Sequence, residues 1–324
     1  MKWNIKMMIL LMVISTMIVM SSSNWMSMWM GMEINMIGFV PTLKMNNKES
    51  SSSTMIYFMA QSMGSSLFLY SLLSMWIQSP SDYMVSMMNM MMASMMIKLG
   101  LPPMHAWMII VINNASWNCC FMLMTWQKIA PLTVTSHVMK NVNEIYIMAV
   151  VASCIGAIGG INVTSIRKIM GYSSVSHMGW MLILTENNYK WMTYITLYSL
   201  MMATLCFMMN SEMMFYLNQM TSFNNINKMA FTMIMLSMGG LPPLLGFIPK
   251  WITIQTLIDN NLTLIASFMV MTSIVNLVFY INMTYPMMTW SSITNKTNIN
   301  MKNYSWMMIT SLITPITLAL NNPV

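Results

Sequence analysis

Four ionisable side chains stand within long apolar stretches of this sequence: Glu33, Lys98, Lys128 and Lys250. Their neighbours are almost all Met, Ile, Leu and Trp. A charge at the centre of a membrane helix costs about 2.5–3.5 kcal/mol, so four cost on the order of 10 kcal/mol, comparable to the stability of a whole domain. Such side chains are kept where they face a bundle interior or a water path. The chemistry that a carboxylate and three amines offer there is proton transfer.

Glu33 is the only acid deep in a predicted span, and we expect it to neutralise Lys98. A purely structural ion pair is the alternative for this couple. Lys128 and Lys250 are then left without an acid. Burial without a counter-charge favours the neutral amine, so such a lysine releases its proton near neutral pH. A row of groups, each biased by its neighbour's charge, predicts a stepwise relay with Lys128 as its central carrier.

Two histidines are further candidates for the relay. His177 lies in the span that corresponds, in the second half of the chain, to the span of Glu33, and a core histidine with satisfied hydrogen bonds is the alternative. His105 follows the double proline Pro102-Pro103 with one residue between them and could instead hydrate the helix break there. No metal site is predicted, because the histidines share no ligand spacing and the four cysteines form no C-x-x-C pair. We interpret the cysteines as structural.

The composition requires a lipid solvent. Of 324 residues, 57% are hydrophobic and 6% charged, against about 25% charged in soluble domains. Barrel strands would alternate with period two, which is absent, so the predicted class is an all-α polytopic membrane protein. The 53 Met residues are interpreted as replacements for Ile and Leu, as in animal mitochondrial genomes. The sequence also lacks a phosphate-binding Gly loop, a dinucleotide fingerprint and a nucleophile elbow.

Apolar segments predict eleven transmembrane helices. Their approximate ranges are 3–20, 24–43, 54–78, 83–112, 117–138, 144–162, 172–187, 191–215, 228–258, 262–288 and 304–321. The fourth and ninth are too long for one straight span, and each has a double proline in its middle.

Loop charge supports this count. Alternating the loops between two sides leaves only Lys140 and Lys190 on one of them. The other side receives Lys2, Lys6, Lys44, Lys48, Arg167, Lys168, Lys228, Lys296 and Lys302. This positive-inside asymmetry predicts an N-terminus in the matrix and a C-terminus across the membrane. Because topology accounts for the net charge of +7, nucleic-acid binding is not invoked.

A short motif recurs along the chain. Gly100-Leu101-Pro102-Pro103 returns as Gly240-Leu241-Pro242-Pro243, each time in the fourth helix of a five-helix block. Five is odd, so the blocks, about 3–138 and about 144–288, must be inverted relative to each other, and a C-terminal helix follows. Proline-broken helices at matching places in two inverted halves indicate a transport site near the membrane midplane. Lys98 lies just before the first break and Lys250 just after the second, where we expect both ammonium groups to meet freed carbonyls or trapped water.

Three segments resemble a known family. They are Thr125-Trp126-Gln127-Lys128-Ile129-Ala130-Pro131, Arg167-Lys168-Ile169-Met170-Gly171-Tyr172-Ser173-Ser174 with His177-Met178-Gly179-Trp180, and residues 239–251. They closely resemble the chain 2 family of NADH–ubiquinone oxidoreductases, the antiporter-like, mitochondrially encoded membrane subunits of respiratory complex I, and look most like an insect member. The likeness is strongest over about 24–43 and 95–255. One departure is Leu101-Pro102, where relatives often have two small residues.

The resemblance implies inverted five-helix repeats, eleven helices in the animal form, and proton-path residues at Glu33, Lys98, Lys128 and Lys250. It implies proton transfer from matrix to intermembrane space in the mitochondrial inner membrane, coupled to NADH oxidation and ubiquinone reduction elsewhere in the complex. No cofactor is expected on this chain, since NADH, FMN, iron–sulfur clusters and ubiquinone belong to other subunits. The expected partners are other membrane and accessory subunits and phospholipids, without nucleic acid or function as an isolated monomer.

Two other functions remain open from the sequence. One is a stand-alone cation/proton antiporter of the same fold. The other is a scaffold that holds the membrane arm together without transporting anything. A scaffold tolerates loss of the Lys128 charge, and an antiporter moves cations when it is reconstituted alone.

Overall fold

The computed structural model describes residues 2–44, 49–77, 81–138, 142–186, 190–222 and 225–289. α-Helices dominate these ranges, and the β-contact within them is one antiparallel bridge between Ser165 and Tyr216. The all-helical class predicted from composition is confirmed. The predicted C-terminal helix at about 304–321 lies outside the described residues, as do the predicted loop charges Lys48, Lys140, Lys296 and Lys302.

The chain forms two compact units that meet between Met148 and Ala149. The described helices up to that point are α1 (Lys2–Ser21), α2 (Trp25–Lys44), α3 (Glu49–Ile77), α4 (Ser81–Leu99), α5 (Ala106–Asn114), α6 (Trp117–Met124) and α7 (Trp126–Val138), followed by the first residues of α8 (Val142–Gly160). The second unit contains the rest of α8 and α9 (Ile166–Leu184), α10 (Lys190–Glu212), α11 (Asn225–Gly239), α12 (Phe247–Asp259) and α13 (Thr263–Thr289).

The core of the first unit joins helices that are far apart in sequence. Its buried cluster combines Met28 and Met32 of α2 with Phe68 and Leu72 of α3. It also includes Ala130, Val134 and Val138, which are four residues apart and therefore form one stripe along α7. This stripe holds α7 against α4, α1 and α2. The orientation of α7 is thereby fixed along the length that follows Lys128.

Polar and apolar side chains are placed in the opposite way from those of a water-soluble protein, with amines buried and apolar groups exposed. Lys98, Lys128 and Lys250 are only 6%, 2% and 5% exposed, whereas Ile77 is 81% and Leu264 76% exposed. Soluble proteins seldom bury lysine side chains and rarely expose large contiguous apolar surfaces. Apolar side chains on the outside and amines inside are what a lipid solvent demands.

Both Gly-Leu-Pro-Pro motifs end a helix in the same way. Gly100 and Gly240 adopt φ of +66° and +80°, the left-handed conformation that glycine tolerates without a steric penalty. The following leucine N–H then reaches back five residues, from Leu101 to the Met96 carbonyl (2.9 Å) and from Leu241 to the Leu236 carbonyl (3.4 Å). The chain resumes as α5 in the first unit and α12 in the second. The predicted proline breaks in spans four and nine are confirmed.

The predicted continuous span over 117–138 is wrong. Helix α6 ends at Met124, Thr125 adopts φ −118° and ψ −72°, and α7 starts at Trp126. Pro131 lies within α7 and has no backbone N–H for the carbonyl of Gln127, four residues earlier, so this turn has weaker backbone support than a regular helix. Lys128 is therefore the third residue of a new helix rather than the middle of a long one.

The prediction that Lys228 is a loop charge is also wrong. Helix α11 begins at Asn225, so Lys228 lies within its first turn and is only 7% exposed. Helix α9 likewise starts six residues before the predicted span, at Ile166, and takes in Arg167 and Lys168. The Arg167 guanidinium lies 4.5 Å from the centre of the Phe215 ring, a cation–π distance.

Within the described residues, two helices are long and apolar enough to cross a membrane by length and composition alone, Lys190–Glu212 and Thr263–Met287. Two shorter apolar helices are Lys6–Ser21 and Glu144–Gly160. The breaks described above shorten other predicted spans, and buried polar residues make them less apolar. The total of eleven spans therefore remains a prediction.

Gly246 supplies a test of how closely the second break is packed. A Cβ atom at this position would overlap the Ser237 carbonyl oxygen, although the backbone conformation (φ −70°, ψ −10°) suits any residue. We predict that Gly246→Ala destabilises the protein by about 1–3 kcal/mol through overpacking. The expected observation is less assembled protein in membranes and a lower midpoint of thermal unfolding after solubilisation.

Gly239→Ala is the matched control. A Cβ at Gly239 would meet its nearest neighbour, Leu277, at an ordinary 3.6 Å, and alanine favours the helix over glycine. We expect parental abundance and thermal stability. Equal damage from both substitutions would contradict the close contact at Gly246.

Candidate functional site

Lys98 stands in the last turn of α4, and its side chain reaches between α2 and α3. Its Nζ atom lies 3.8 Å from the Met32 sulfur on α2. On the other side it passes Gly64 of α3, where a Cβ atom would come within 2.8 Å of the Lys98 Cγ. The missing side chain at Gly64 thus makes room for the lysine. As a cation in the last turn of a helix, Lys98 is also favoured by the negative end of the helix dipole.

Glu33 lies on α2, one residue beyond Met32, and acts electrostatically on Lys98 and on Tyr57. Its Oε1 atom is buried and accepts no hydrogen bond from the described part of the chain. The structure therefore brings Glu33 and Lys98 within electrostatic reach of each other. A buried carboxylate oxygen without a donor is costly, so this atom is an unsatisfied acceptor within the described residues.

The freed carbonyls at the first break are bound by neutral side chains. The Gln61 amide donates to the Lys98 carbonyl (3.1 Å), and the Trp107 indole donates to the Ile97 carbonyl (3.0 Å). Of the two surroundings expected for the Lys98 ammonium, the structure does not show the freed carbonyls, since its Nζ atom lies against the Met32 sulfur instead; contact with trapped water stays a prediction. Because Gln61 and Trp107 occupy them, the Lys98 amine is left to point toward α2.

Lys98 and Lys128 border one small cavity. Its other polar lining residues are Tyr57, Gln61 and Gln127, and the apolar part of its wall consists of Leu99, Trp107, Met108 and Leu123. Its volume is about 10 Å³ for the centre of a water-sized sphere, roughly what one water molecule needs. Lys98 and Lys128 therefore line the same polar, water-sized space.

Lys250 lies at the break of the second unit. Its Nζ donates to the Gly239 carbonyl at 2.6 Å and lies 3.5 Å from the Met238 carbonyl, the last carbonyls of α11. The Trp180 ring centre is 5.9 Å from the ammonium, at the edge of the cation–π range. For Lys250 the predicted contact with freed carbonyls is confirmed. A Cβ at Gly240 would lie 2.9 Å from this Nζ, so the αL glycine also makes room for the amine.

His177 is buried in α9 and its Nδ1 lies 2.7 Å from the Tyr194 hydroxyl. The Tyr198 ring packs against it with centroids 5.0 Å apart. Both tyrosines belong to α10 and are four residues apart, so they present one face to the histidine. A hydrogen-bonded imidazole suits a core histidine and a relay histidine alike, and a role in the relay remains a prediction.

His105 precedes α5, with half-buried side chain and no capping hydrogen bond to that helix. It is not among the residues that line the cavity of Lys98 and Lys128. The structure thus brings together Glu33, Lys98 and Lys128 in the first unit, while Lys250 and His177 belong to the second. A relay role for His105 remains a prediction.

Similarity to known proteins extends over most of the chain. Residues 22–276 match the family model described as NADH:quinone oxidoreductase/Mrp antiporter, TM. The chain is 35% identical over 310 residues to NADH-ubiquinone oxidoreductase chain 2 of Anopheles gambiae, covering 93% of this chain and 88% of that one. It is 38% identical over 276 residues to the same subunit of Locusta migratoria, covering 82% and 80%.

The chain belongs to the NADH-ubiquinone oxidoreductase chain 2 family. A solved structure agrees at the level of the fold. A chain of respiratory complex I from Thermus thermophilus, determined with bound aureothin, superposes with a TM-score of 0.84 at 16% identity, covering 98% of this chain and 77% of that one.

Within this family fold, the structure adds polar residues that the sequence did not single out. Asn35, Tyr57, Gln61 and Gln127 surround the lysines of the first unit. Two signals were available. Gln127 directly precedes Lys128, and Tyr57, Gln61 and Gly64 follow a helical spacing of four and three, which places them on one face of α3.

Gln61 provides a test of the cap at the first break. We predict that Gln61→Met, of similar size, leaves the Lys98 carbonyl without its side-chain donor and costs about 1–3 kcal/mol, the usual penalty of an unsatisfied buried group. The measurement is the thermal stability of the solubilised protein, compared with Ser62→Ala as a neighbouring control. Equal stability of the Gln61→Met variant and the parent would contradict the assigned cap.

Proposed function

We propose that this chain transfers protons across the mitochondrial inner membrane through Glu33, Lys98, Lys128 and Lys250. As a member of the NADH-ubiquinone oxidoreductase chain 2 family, it is a core membrane subunit of respiratory complex I, an enzyme that couples NADH oxidation to proton translocation. The redox cofactors belong to other subunits, and this chain supplies part of the proton path.

The observation that carries the proposal is the cavity bordered by Lys98 and Lys128. An ammonium at Lys98 gives a proton to a water in this space, and that water gives a proton to the neutral amine of Lys128. One N–H bond breaks and one forms, and the positive charge moves from α4 to α7. The Glu33 carboxylate lies within electrostatic reach of Lys98. Its negative charge favours the positive charge on Lys98, so return of the proton from Lys128 to Lys98 is the favoured direction.

Lys250 has a different local role in the proposal. Its ammonium is held by the carbonyls that end α11, a site that stabilises positive charge without a carboxylate. A proton that leaves Lys250 frees these carbonyls, so that release and recapture are coupled to the hydrogen bonds of the break. His177, with its Tyr194 partner, is proposed as a further carrier in the second unit.

The energy for transport has to come from outside the chain. Moving one charge against the membrane potential costs about 2.3 kcal/mol per 100 mV, and this subunit is proposed to carry no redox centre. We therefore propose that neighbouring membrane subunits drive the relay by contact, in a topology of eleven spans with the N-terminus in the matrix. The two inverted repeats are about 3–138 and about 144–288.

The decisive substitution is Lys128→Met, which keeps an unbranched apolar side chain of nearly the same size and removes the amine. We predict that proton pumping per assembled complex falls by at least about tenfold, since a relay without its central carrier faces a barrier higher by about 1.4 kcal/mol. Pumping is measured with a pH-sensitive dye in vesicles that contain the assembled complex and are supplied with NADH. Lys190→Met, at an exposed position where α10 begins, is the control and should pump normally.

Pumping at the parental rate by the Lys128→Met complex would refute the proposed relay and favour a scaffold role for this chain. Cation exchange by the isolated, reconstituted chain would favour an independent antiporter instead. We expect no activity from the isolated chain, because its energy source is missing.

A further inference from the structure

A hydrogen-bonded cluster joins the helix of Glu33 to the helix of Lys128. The side-chain amides of Asn35 and Gln127 bind each other reciprocally, at 3.0 Å and 3.2 Å. The Gln127 oxygen also accepts from the Tyr57 hydroxyl (3.3 Å), and its nitrogen lies 3.4 Å from the Met12 sulfur. All four hydrogen-bonding positions of the Gln127 amide are therefore used, which gives this side chain one preferred orientation.

The cluster lies at the turn of Lys128, where the pattern of backbone hydrogen bonds is interrupted. The helix is interrupted at Thr125, immediately before the turn of Gln127 and Lys128. Pro131 removes the donor that would have bound the Gln127 carbonyl in a regular helix. Side-chain bonds from Gln127 to α2 and α3 therefore replace backbone bonds in fixing this turn.

Tyr57 connects the cluster to Glu33 and to the cavity that Lys98 and Lys128 line. It lines the cavity of Lys98 and Lys128 and is within electrostatic reach of Glu33. Its ring is 1% exposed and is held edge-on by Phe39 and Trp107, with centroids 5.0 Å and 5.9 Å away. A rigidly packed ring presents its hydroxyl at one place, so Tyr57 can fix the position of Gln127 relative to the cavity.

We infer that Asn35, Tyr57 and Gln127 form a positioning cluster that holds the Lys128 amine at the cavity it shares with Lys98. The cluster acts through geometry and takes no proton itself. Loosening it moves the first turn of α7 and lengthens the path between the two amines. The inference rests on the proposed relay and adds to it three uncharged residues that determine how fast its central step proceeds.

Tyr57→Phe is the most conservative test, because it deletes one hydroxyl and leaves the packed ring. We expect normal assembly and a drop in NADH-driven proton pumping per assembled complex of about twofold to tenfold, the range that one neutral hydrogen bond supplies. Tyr70→Phe on the same helix, where the ring is 59% exposed, is the matched control and should pump at the parental rate. Parental pumping by the Tyr57→Phe complex would overturn the inference.

A second pair of variants separates positioning from simple stabilisation. Gln127→Met leaves the Asn35 amide buried without its partner and should lower both thermal stability and pumping. Adding Asn35→Leu replaces both amides by apolar groups of similar shape, so stability should recover, whereas pumping should stay low because the directional bonds are gone. Recovery of pumping together with stability would reduce the cluster to a structural role and overturn the inference.

These results are distinguishable from failure of the relay itself. If Lys128→Met pumps normally, the proposed function fails, whatever the cluster does. If Lys128→Met abolishes pumping while Tyr57→Phe has no effect, the relay stands and only the positioning cluster is refuted.

Discussion

Backbone carbonyls that a helix leaves free in an apolar interior must find donors, and much of this structure follows from how they do so. Each Gly-Leu-Pro-Pro motif ends a helix and frees the carbonyls of its last turn. In the first unit, Gln61 and Trp107 bind them. In the second unit, the donor is the Lys250 ammonium. The same backbone device therefore produces two different surroundings for a buried lysine.

The choice of donor has consequences for the neighbouring helix. Gln61 can reach the Lys98 carbonyl only if one face of α3 lies against the end of α4. That face also carries Gly64, which makes room for the Lys98 side chain, and Tyr57, which binds Gln127. One face of α3 thus caps the break and makes room for the Lys98 side chain. It also binds Gln127 in the turn of α7 that carries Lys128. In the second unit Lys250 caps the break itself, so its charge and the integrity of the break depend on each other.

The sequence predicted the charged members of the site, and the reason is energetic. Glu33, Lys98, Lys128 and Lys250 stood out because ionisable groups are expensive in apolar segments, and the double prolines located two breaks. The third break, at Thr125, escaped prediction because a single Pro131 is compatible with either a continuous or an interrupted helix. Asn35, Tyr57 and Gln127 escaped because uncharged polar residues are common in this chain, and only the tertiary packing shows which of them face one another. Lys228 was misassigned because helix starts are uncertain by several residues.

The proposed relay requires Lys98 and Lys128 to exchange a proton through the cavity that both residues line. A cryo-EM map of the assembled complex at a resolution that shows ordered water tests this most directly. We expect density for a water molecule within about 3 Å of both Nζ atoms, the length of a hydrogen bond, with Tyr57 and Gln127 beside it. A dry cavity, or one filled by an apolar side chain that separates the two amines, would contradict it.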